Sequence, residues 1–316
     1  MTTNNITPIT LDLYSWNVNG VQDALKSRNI RQQMYDHKGV YLLQETHYLS
    51  VRDIQRFNTA APICYQTNGL PNRNGVLLSI PQRNQNLTHI PSSINSGDGN
   101  GRLLMININW LGLPILLVNI YAPPSTPSER ALFFDQIHSR LLNETLPIIM
   151  AGDFNCWMHP LDHHTNSNPA NTADINSLNS LLNSLNLVDI WREYNPTGSR
   201  RTYGPLASKI SRIDKFYVSE SLMPLIPPEF CTIISSPISD HSICKISLLA
   251  PNGETIHKSQ WRFNARLLKS DNFKSCISGA IARFQQLIPE TSCPDEVYFK
   301  WYGQPKGSLS PIRDRP

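Results

Sequence analysis

Residues 147–155 read Pro147-Ile-Ile-Met-Ala-Gly-Asp-Phe-Asn155, a short apolar run that ends in a carboxylate and an amide. This is the pattern of a buried strand carrying polar side chains to the rim of a sheet. The pattern recurs along the chain. Val40–Gln44 runs into Glu45, and Leu11–Val18 alternates apolar and polar residues through Asn17 before Asn19-Gly20. Pro114–Tyr121 ends with Asn119 and Tyr121, and Ser211-Arg212-Ile213-Asp214 opens a strand over 213–218. Ser239-Asp240-His241 completes the ordered set. Cleaving a phosphodiester needs such groups: oxygen ligands for a hard divalent cation, a base for water, and a positive charge facing the developing anion.

Between these motifs, Val76–Ile80, Leu103–Trp110, Cys231–Ser235 and Ser242–Leu248 continue the strand pattern. Helical spacing marks 23–36, 128–143 and 174–187. In the second, Ser128 stands as the cap, with Leu132, Phe133, Ile137 and Leu141 on one face; in the third, Ile175, Leu178, Leu182 and Leu185 are spaced for burial. The glycine-rich stretch 97–101 carries no Lys-Ser/Thr and reads as a turn rather than a phosphate loop. Many strands with few helices between them predict an α+β fold of two packed sheets with helices outside. Pro251-Asn252-Gly253 closes a domain over 1–253. Residues 254–316 read as a basic, partly helical connector, with a helix over 271–288 and a Pro-, Gly- and Ser-rich end that looks truncated.

A chain of 316 residues, 40% hydrophobic and 16% charged, is expected to be a soluble domain of about 250 residues with an appendage. The first ten residues are polar and lack a signal-peptide pattern, and the apolar stretch 111–122 is too short and interrupted to span a bilayer. Six cysteines without CxxC pairing, and no histidines at zinc spacing, predict reduced thiols in an intracellular protein. The net charge of +4 is uneven: residues 1–256 hold 18 basic and 19 acidic side chains, residues 257–316 hold 10 and 5. A nearly neutral core does not contradict binding of a polyanion at a metal site, because a bound cation compensates the carboxylates.

These motifs, in this order and spacing over residues 9–250, resemble the endonuclease/exonuclease/phosphatase superfamily. The resemblance implies a DNase I-like four-layer α/β sandwich around a Mg²⁺-dependent phosphodiesterase site, with Mn²⁺ as an alternative ion. Within the superfamily, Tyr14–Gly20 and Leu43–His47 are similar to LINE-type (non-LTR) retrotransposon and apurinic endonucleases. Ser211-Arg212-Ile213 before Asp214 is similar to LINE endonucleases; apurinic enzymes place a Trp at the Ser211 position, which argues against abasic repair. Gln260–Asn264 resembles the connector to a LINE reverse transcriptase, so a missing downstream region, with retroelement RNA as its partner, is implied.

The resemblance carries roles onto these residues. Glu45, Asn17 and Asp240 are the metal-side candidates. Asp153 is the water activator, Asn155 orients water or phosphate from the same side of an extended segment, and Tyr121 bonds the scissile phosphate. His241, paired with Asp214, presents an imidazolium to the phosphoryl oxygen. Substrate contacts fall to Asn19, to Thr202 and Ser211 bracketing a protruding hairpin, and to Arg200, Arg201 and Lys209. Out of context each would be ordinary: a surface charge, a turn amide, a solvated basic loop. The expected activity is DNA endonuclease, leaving 3′-hydroxyl and 5′-phosphate ends and acting in the nucleus for a retroelement. The alternatives are an apurinic/apyrimidinic repair enzyme, a phosphatase of the same fold, and an inactive DNA-binding fragment. No membrane or small-molecule cofactor is expected.

Overall fold

The computed structural model describes residues 6–37, 39–47, 62–67, 73–81, 87–89, 100–205, 210–251 and 255–257, with single positions between 271 and 282. The chain forms two compact units, Met1–His257 and Lys258–Pro316. The connector motif at 260–264, most of the helix expected over 271–288, most of the turn at 97–101, and the hairpin tip including Lys209 lie outside the described residues.

In chain order the first unit contains β1 (Ile6–Pro8), β2 (Thr10–Asn17), α1 (Ala24–His37), β3 (Val40–Gln44), β4 (Pro62–Thr67), β5 (Val76–Pro81), β6 (Leu87–His89), β7 (Leu103–Trp110), β8 (Leu113–Tyr121), α2 (Pro127–Leu141) and β9 (Ile148–Asp153). Then follow α3 (Ala173–Ser184), β10 (Leu187–Asp189), α4 (Ile190–Tyr194), β11 (Asp214–Ser219), β12 (Cys231–Ile234), β13 (Ile243–Leu249) and β14 (Thr255–His257). One six-stranded sheet runs β12-β13-β2-β3-β5-β4 and the other β10-β11-β9-β8-β7-β6. β1 and β14 pair separately, which carries the unit to His257, past the Gly253 expected.

Alternation along the strands builds the layers. Leu11, Leu13, Val40 and Leu42 of one sheet join Leu104, Ile106, Ile108, Leu117 and Ile149 of the other in a single cluster between the sheets. The intervening residues Tyr14, Trp16, Tyr41 and Leu43 pack outward with Ile30 and Met34 of α1. On the far side Leu103, Met105, Val118 and Met150 meet Phe133, Phe134, Ile137 and Leu141 of α2 and Leu178, Leu181 and Leu182 of α3. The fold is therefore helix, sheet, sheet, helix. Each fully buried Leu or Ile in it contributes about 1.5–3 kcal/mol relative to exposure.

Two local expectations are corrected. Thr126, not Ser128, caps α2: its hydroxyl accepts the Glu129 N–H, and Pro127 occupies the first helical position, where a missing N–H costs nothing. Leu132 is 63% exposed; Phe134 takes the buried place beside Phe133.

Among the described residues every strand pairing is antiparallel except two, β2 with β3 and β8 with β9. Parallel neighbours need a crossover, and α1 and α2 fall within those two connections. The registers place Asn17 opposite Gln44 and Tyr121 opposite Asp153, so each sheet ends one parallel pair in polar side chains. Behind that rim, Gln44 Nε2 donates to Asn119 Oδ1 (2.7 Å), and Asn119 Nδ2 donates to the Leu43 and Leu77 carbonyls (3.1 and 2.9 Å). A buried amide pair thus sets the two sheets against each other.

Gly152, one residue before Asp153, has φ +147°, and a Cβ there would lie 1.9 Å from the Ile120 carbonyl oxygen. Gly152→Ala is expected to cost on the order of 3 kcal/mol or more, from strained backbone and a main-chain clash together. Chemical denaturation of the variant against the parent chain measures this, and an unchanged midpoint would contradict it.

Candidate active site

The polar groups gather where the two parallel pairs end. Asn17 is fully buried, and its Nδ2 donates both to Glu45 Oε1 (2.8 Å) and to Asp153 Oδ2 (2.9 Å). One amide therefore bridges the sheets. Glu45 follows β3 in a left-handed turn, with φ of 51° at Glu45 and 57° at His47. Gly20 N–H and Val21 N–H donate to the Glu45 and Thr46 carbonyls, while Thr46 N–H and His47 N–H donate to Gly75 and Asn74. Held between these loops, Glu45 Oε2 receives His47 Nε2 at 3.2 Å. Burial alone would raise the Glu45 pKa, but hydrogen bonds from His47, Asn17 and Tyr121 hold it down at about 2. Glu45 is ionised throughout the physiological range.

Asp153 is 1% exposed and lies directly across the β9–β11 ladder from Asp214. Burial, then the Asp214 charge, push its pKa up. Asp214 Oδ2 lies 2.9 Å from His241 Nδ1, and His241 Nε2 lies 3.9 Å from Asp153 Oδ2. Burial would depress the imidazole, but Asp214 outweighs it and raises the His241 pKa to about 9. Ser239 seats this loop: its Oγ donates to the Asn17 carbonyl (2.8 Å) and accepts the His241 N–H (3.2 Å). Asp240 Oδ1 accepts Asn19 Nδ2 at 3.2 Å.

Asn155 departs from the extended geometry expected. β9 ends at Asp153; Asn155 has φ 50°, its N–H donates to Asp153 Oδ1 (2.9 Å), and its Nδ2 donates to the Ala122 carbonyl (2.8 Å). A hydrogen-bonded turn, rather than strand alternation, brings it to Asp153. Burial, with Glu45 and Asp153 nearby, raises the Tyr121 pKa, so the phenol keeps its proton. Thr202 is fully buried and its Oγ1 accepts the Ile213 and Asp214 N–H groups (3.2 and 3.1 Å). It therefore holds the backbone that presents Asp214. Ser211 is also buried and bridges through its backbone to His163 and Tyr203. Arg200 is exposed, and the half-buried Arg201 donates from Nη2 to the His163 carbonyl at 3.3 Å.

Several groups here escape sequence reasoning. Lys26 of α1 donates from Nζ to the Asn19 carbonyl at 2.8 Å, and Asp240 and Glu45 act on its charge; burial still lowers its pKa. His47 had no assigned role. Beneath Asp214 lies a buried ionic cluster: Arg212 donates to Asp162 (2.8 and 3.0 Å) and Asp189 (3.0 and 2.6 Å), and Arg192 (2.5 Å) and Lys215 (3.2 Å) also reach Asp162.

Residues 14–241 match the Endonuclease/Exonuclease/phosphatase family. The chain belongs to that family. It is 31% identical over 183 residues to a transposon TX1 149 kDa protein of Xenopus laevis, covering 56% of this chain and 14% of that protein. In structure it is similar to the AP endonuclease LMAP of Leishmania major (TM-score 0.64, 20% identity, 77% and 88% of the two chains). It is also similar to the endonuclease domain of TRAS1, a telomere-specific non-LTR retrotransposon (TM-score 0.56, 17% identity, 76% and 99%). These structures share its DNase I-like sandwich. Among the described residues no helix is long and apolar enough to cross a membrane.

Family enzymes use divalent metals, and the donors here suit a hard ion: carboxylates of Glu45 and Asp240 and the side chain of Asn17, all on one rim. Asp153, Asp214 and His241 also offer ligand atoms within 4.8 Å of one another. With Nδ1 committed to Asp214, that trio reads better as an ion pair beside a carboxylate than as a chelate.

Two outcomes follow. The raised His241 pKa means that the ion pair's stabilisation is full below pH 6.5, the usual imidazole value, and is lost as pH rises through about 9. Asp214→Asn should flatten the pH dependence of Tm over that window; an equally steep decline in both chains would contradict the pairing. Asp162→Ala takes from buried Lys215 its ion-pair partner and leaves Arg212 with Asp189 alone, a loss of about 3–5 kcal/mol by urea unfolding.

Proposed function

We propose that this chain is a Mg²⁺-dependent DNA endonuclease that hydrolyses phosphodiester bonds to 3′-hydroxyl and 5′-phosphate ends. The observation that carries this reading is the bridging of Glu45 and Asp153 by the Asn17 amide, with the His241–Asp214 pair beside Asp153. Water activation, metal ligation and charge stabilisation thereby fall within one rim.

In the proposed reaction Glu45, Asn17 and Asp240 would hold the divalent ion, which would supply positive charge against the phosphate. Asp153, whose pKa is raised by burial and by Asp214, takes the proton of the attacking water. Protonated His241 donates toward the phosphoryl oxygen as negative charge develops there. Asn155 Oδ1 remains available because its side-chain N–H is bound to Ala122, and the neutral Tyr121 hydroxyl, which bonds Glu45, would turn from it to the scissile phosphate when substrate binds. Asn19 steadies Asp240. Arg200, Arg201 and Lys209 are proposed phosphate contacts.

The TX1 transposon relative and the TRAS1 retrotransposon domain support target nicking for a non-LTR element, with a downstream partner on the same polypeptide and action in the nucleus. The chain spans 14% of that relative, so the parent protein's wider activity, including any contact with element RNA, belongs to this proposal. A compact unit reaching His257, followed by a basic connector, fits the same reading.

Supercoiled plasmid should be nicked with Mg²⁺ and not with chelator. Asp153→Ala should lose at least about 10²–10⁴-fold in rate, the range of general acid–base catalysis. Undiminished nicking by that variant would remove Asp153 from its role, and preference for an abasic duplex over intact DNA would favour repair instead.

A further inference from the structure

His47 has no part in the reaction above, yet the fold fixes it against Glu45. The segment Glu45-Thr46-His47 turns through left-handed backbone at both ends, φ 51° and 57°, and this brings His47 Nε2 to 3.2 Å from Glu45 Oε2. Three neighbours pin the turn. His47 N–H donates to the Asn74 carbonyl (3.0 Å), and Gln22 Nε2 donates to the His47 carbonyl (3.1 Å). On the third side the imidazole fills the space a side chain at Gly20 would need: a Cβ there would lie 2.9 Å from His47 Nδ1, and Gly20 has φ +82°.

A carboxylate only accepts hydrogen bonds, so Nε2 carries the proton in this contact whichever form the imidazole takes. Both Glu45 oxygens are thereby held. Asn17 Nδ2 holds Oε1 at 2.8 Å and is itself anchored, its Oδ1 accepting the Asn19 N–H at 3.0 Å. Tyr121 can leave Glu45 for a phosphate, but Asn17 and His47 are locked in the fold. Two fixed donors on opposite oxygens resist rotation of the carboxylate. Bringing both oxygens evenly against one ion requires that rotation and costs one of the two bonds.

Divalent ions differ in what they ask of such a group. Mg²⁺ keeps octahedral geometry and is commonly held by single carboxylate oxygens together with water. Ca²⁺ takes about six to eight oxygens and readily uses carboxylates through both. We infer that His47 is a positioning residue that sets the ion preference of this rim: by holding Glu45 Oε2 it keeps the carboxylate a one-oxygen ligand, which favours Mg²⁺ or Mn²⁺ over Ca²⁺. The inference rests on the metal-dependent reading proposed above and adds a residue that selects the ion.

The test uses the whole chain without DNA and Mn²⁺ as the probe, with free Mn²⁺ followed by electron paramagnetic resonance while Mg²⁺ or Ca²⁺ displaces the bound ion. Mg²⁺ should displace Mn²⁺ at lower concentration than Ca²⁺ does. His47→Phe, which keeps a ring and loses the donor, and His47→Ala should each shift that ratio toward Ca²⁺ by about tenfold to about 100-fold, the worth of one hydrogen bond to a charged group. His47→Gln, whose amide can donate from a similar reach, should keep the parent ratio. A purely structural His47 would weaken Mn²⁺ binding in the variants and leave the ratio alone, which would overturn the inference, as would a parent chain that does not distinguish the two ions. Mn²⁺ binding unaltered by Glu45→Gln would overturn both the metal role of Glu45 and this inference. If Mn²⁺ binds but plasmid is not nicked, the nuclease reading fails while the displacement ratio still decides the role of His47.

Discussion

The site depends on one amide. Asn17 belongs to one sheet and spends both N–H bonds of its side chain on carboxylates from two different strands, Glu45 beyond β3 and Asp153 at the end of β9. Two carboxylates brought this close in a buried setting would repel, and water is not available to separate them. A neutral double donor between them satisfies an oxygen of each without adding charge. The Gln44–Asn119 pair one layer deeper repeats the device between the sheets, so rim geometry and sheet packing are set by the same kind of bond. Replacing either amide with an apolar residue would leave buried acceptors unmet.

Much of this was legible because burial and chemistry coincide in the chain. Strands such as Val40–Gln44 and Leu103–Trp110 emerge with the bounds expected, since apolar runs flanked by polar residues have few other uses. β4, β6 and β10 were not foreseen: Leu87–His89 and Leu187–Asp189 are three residues each, and Pro62–Thr67 mixes polar and apolar side chains without alternation. The start of α2 was misplaced although its signal was present, Thr126 followed by Pro127 and then Glu129 three residues on. Lys26 and His47 were invisible for another reason. Each acts through a fold that joins α1, the Asn17 loop and the Asn74–Gly75 loop, and no local pattern announces such meetings.

The ionic cluster around Asp162 shows what the chemistry requires of its foundations. Three cations and two carboxylates are removed from water immediately beneath Asp214, and the attraction among them does little more than offset that desolvation. Their value lies in position: Arg212 links the 160–162 turn to Asp189 at the start of α4 and thereby fixes the backbone that presents Asp214. An apolar substitute of equal volume could match the stability without the directional bonds. Cys156, fully buried behind Asp153 with its thiol pushed up to about 12, adds packing and no nucleophile.

Both parallel pairs deliver their polar ends to one rim, and the β7–β8 reversal lies at the far end of β8 from it. The reversal between β7 and β8 is a two-residue turn, Leu111 at φ 51° and Gly112 at φ 84°, with nothing within 4 Å of a Cβ built on the glycine. At about 3.3 Å per residue it stands roughly 26 Å from Tyr121 along β8. A fluorophore, surface tether or inserted peptide attached there would leave the polar rim around Asn17 and Asp153 unobstructed, making the molecule amenable to immobilisation by that end.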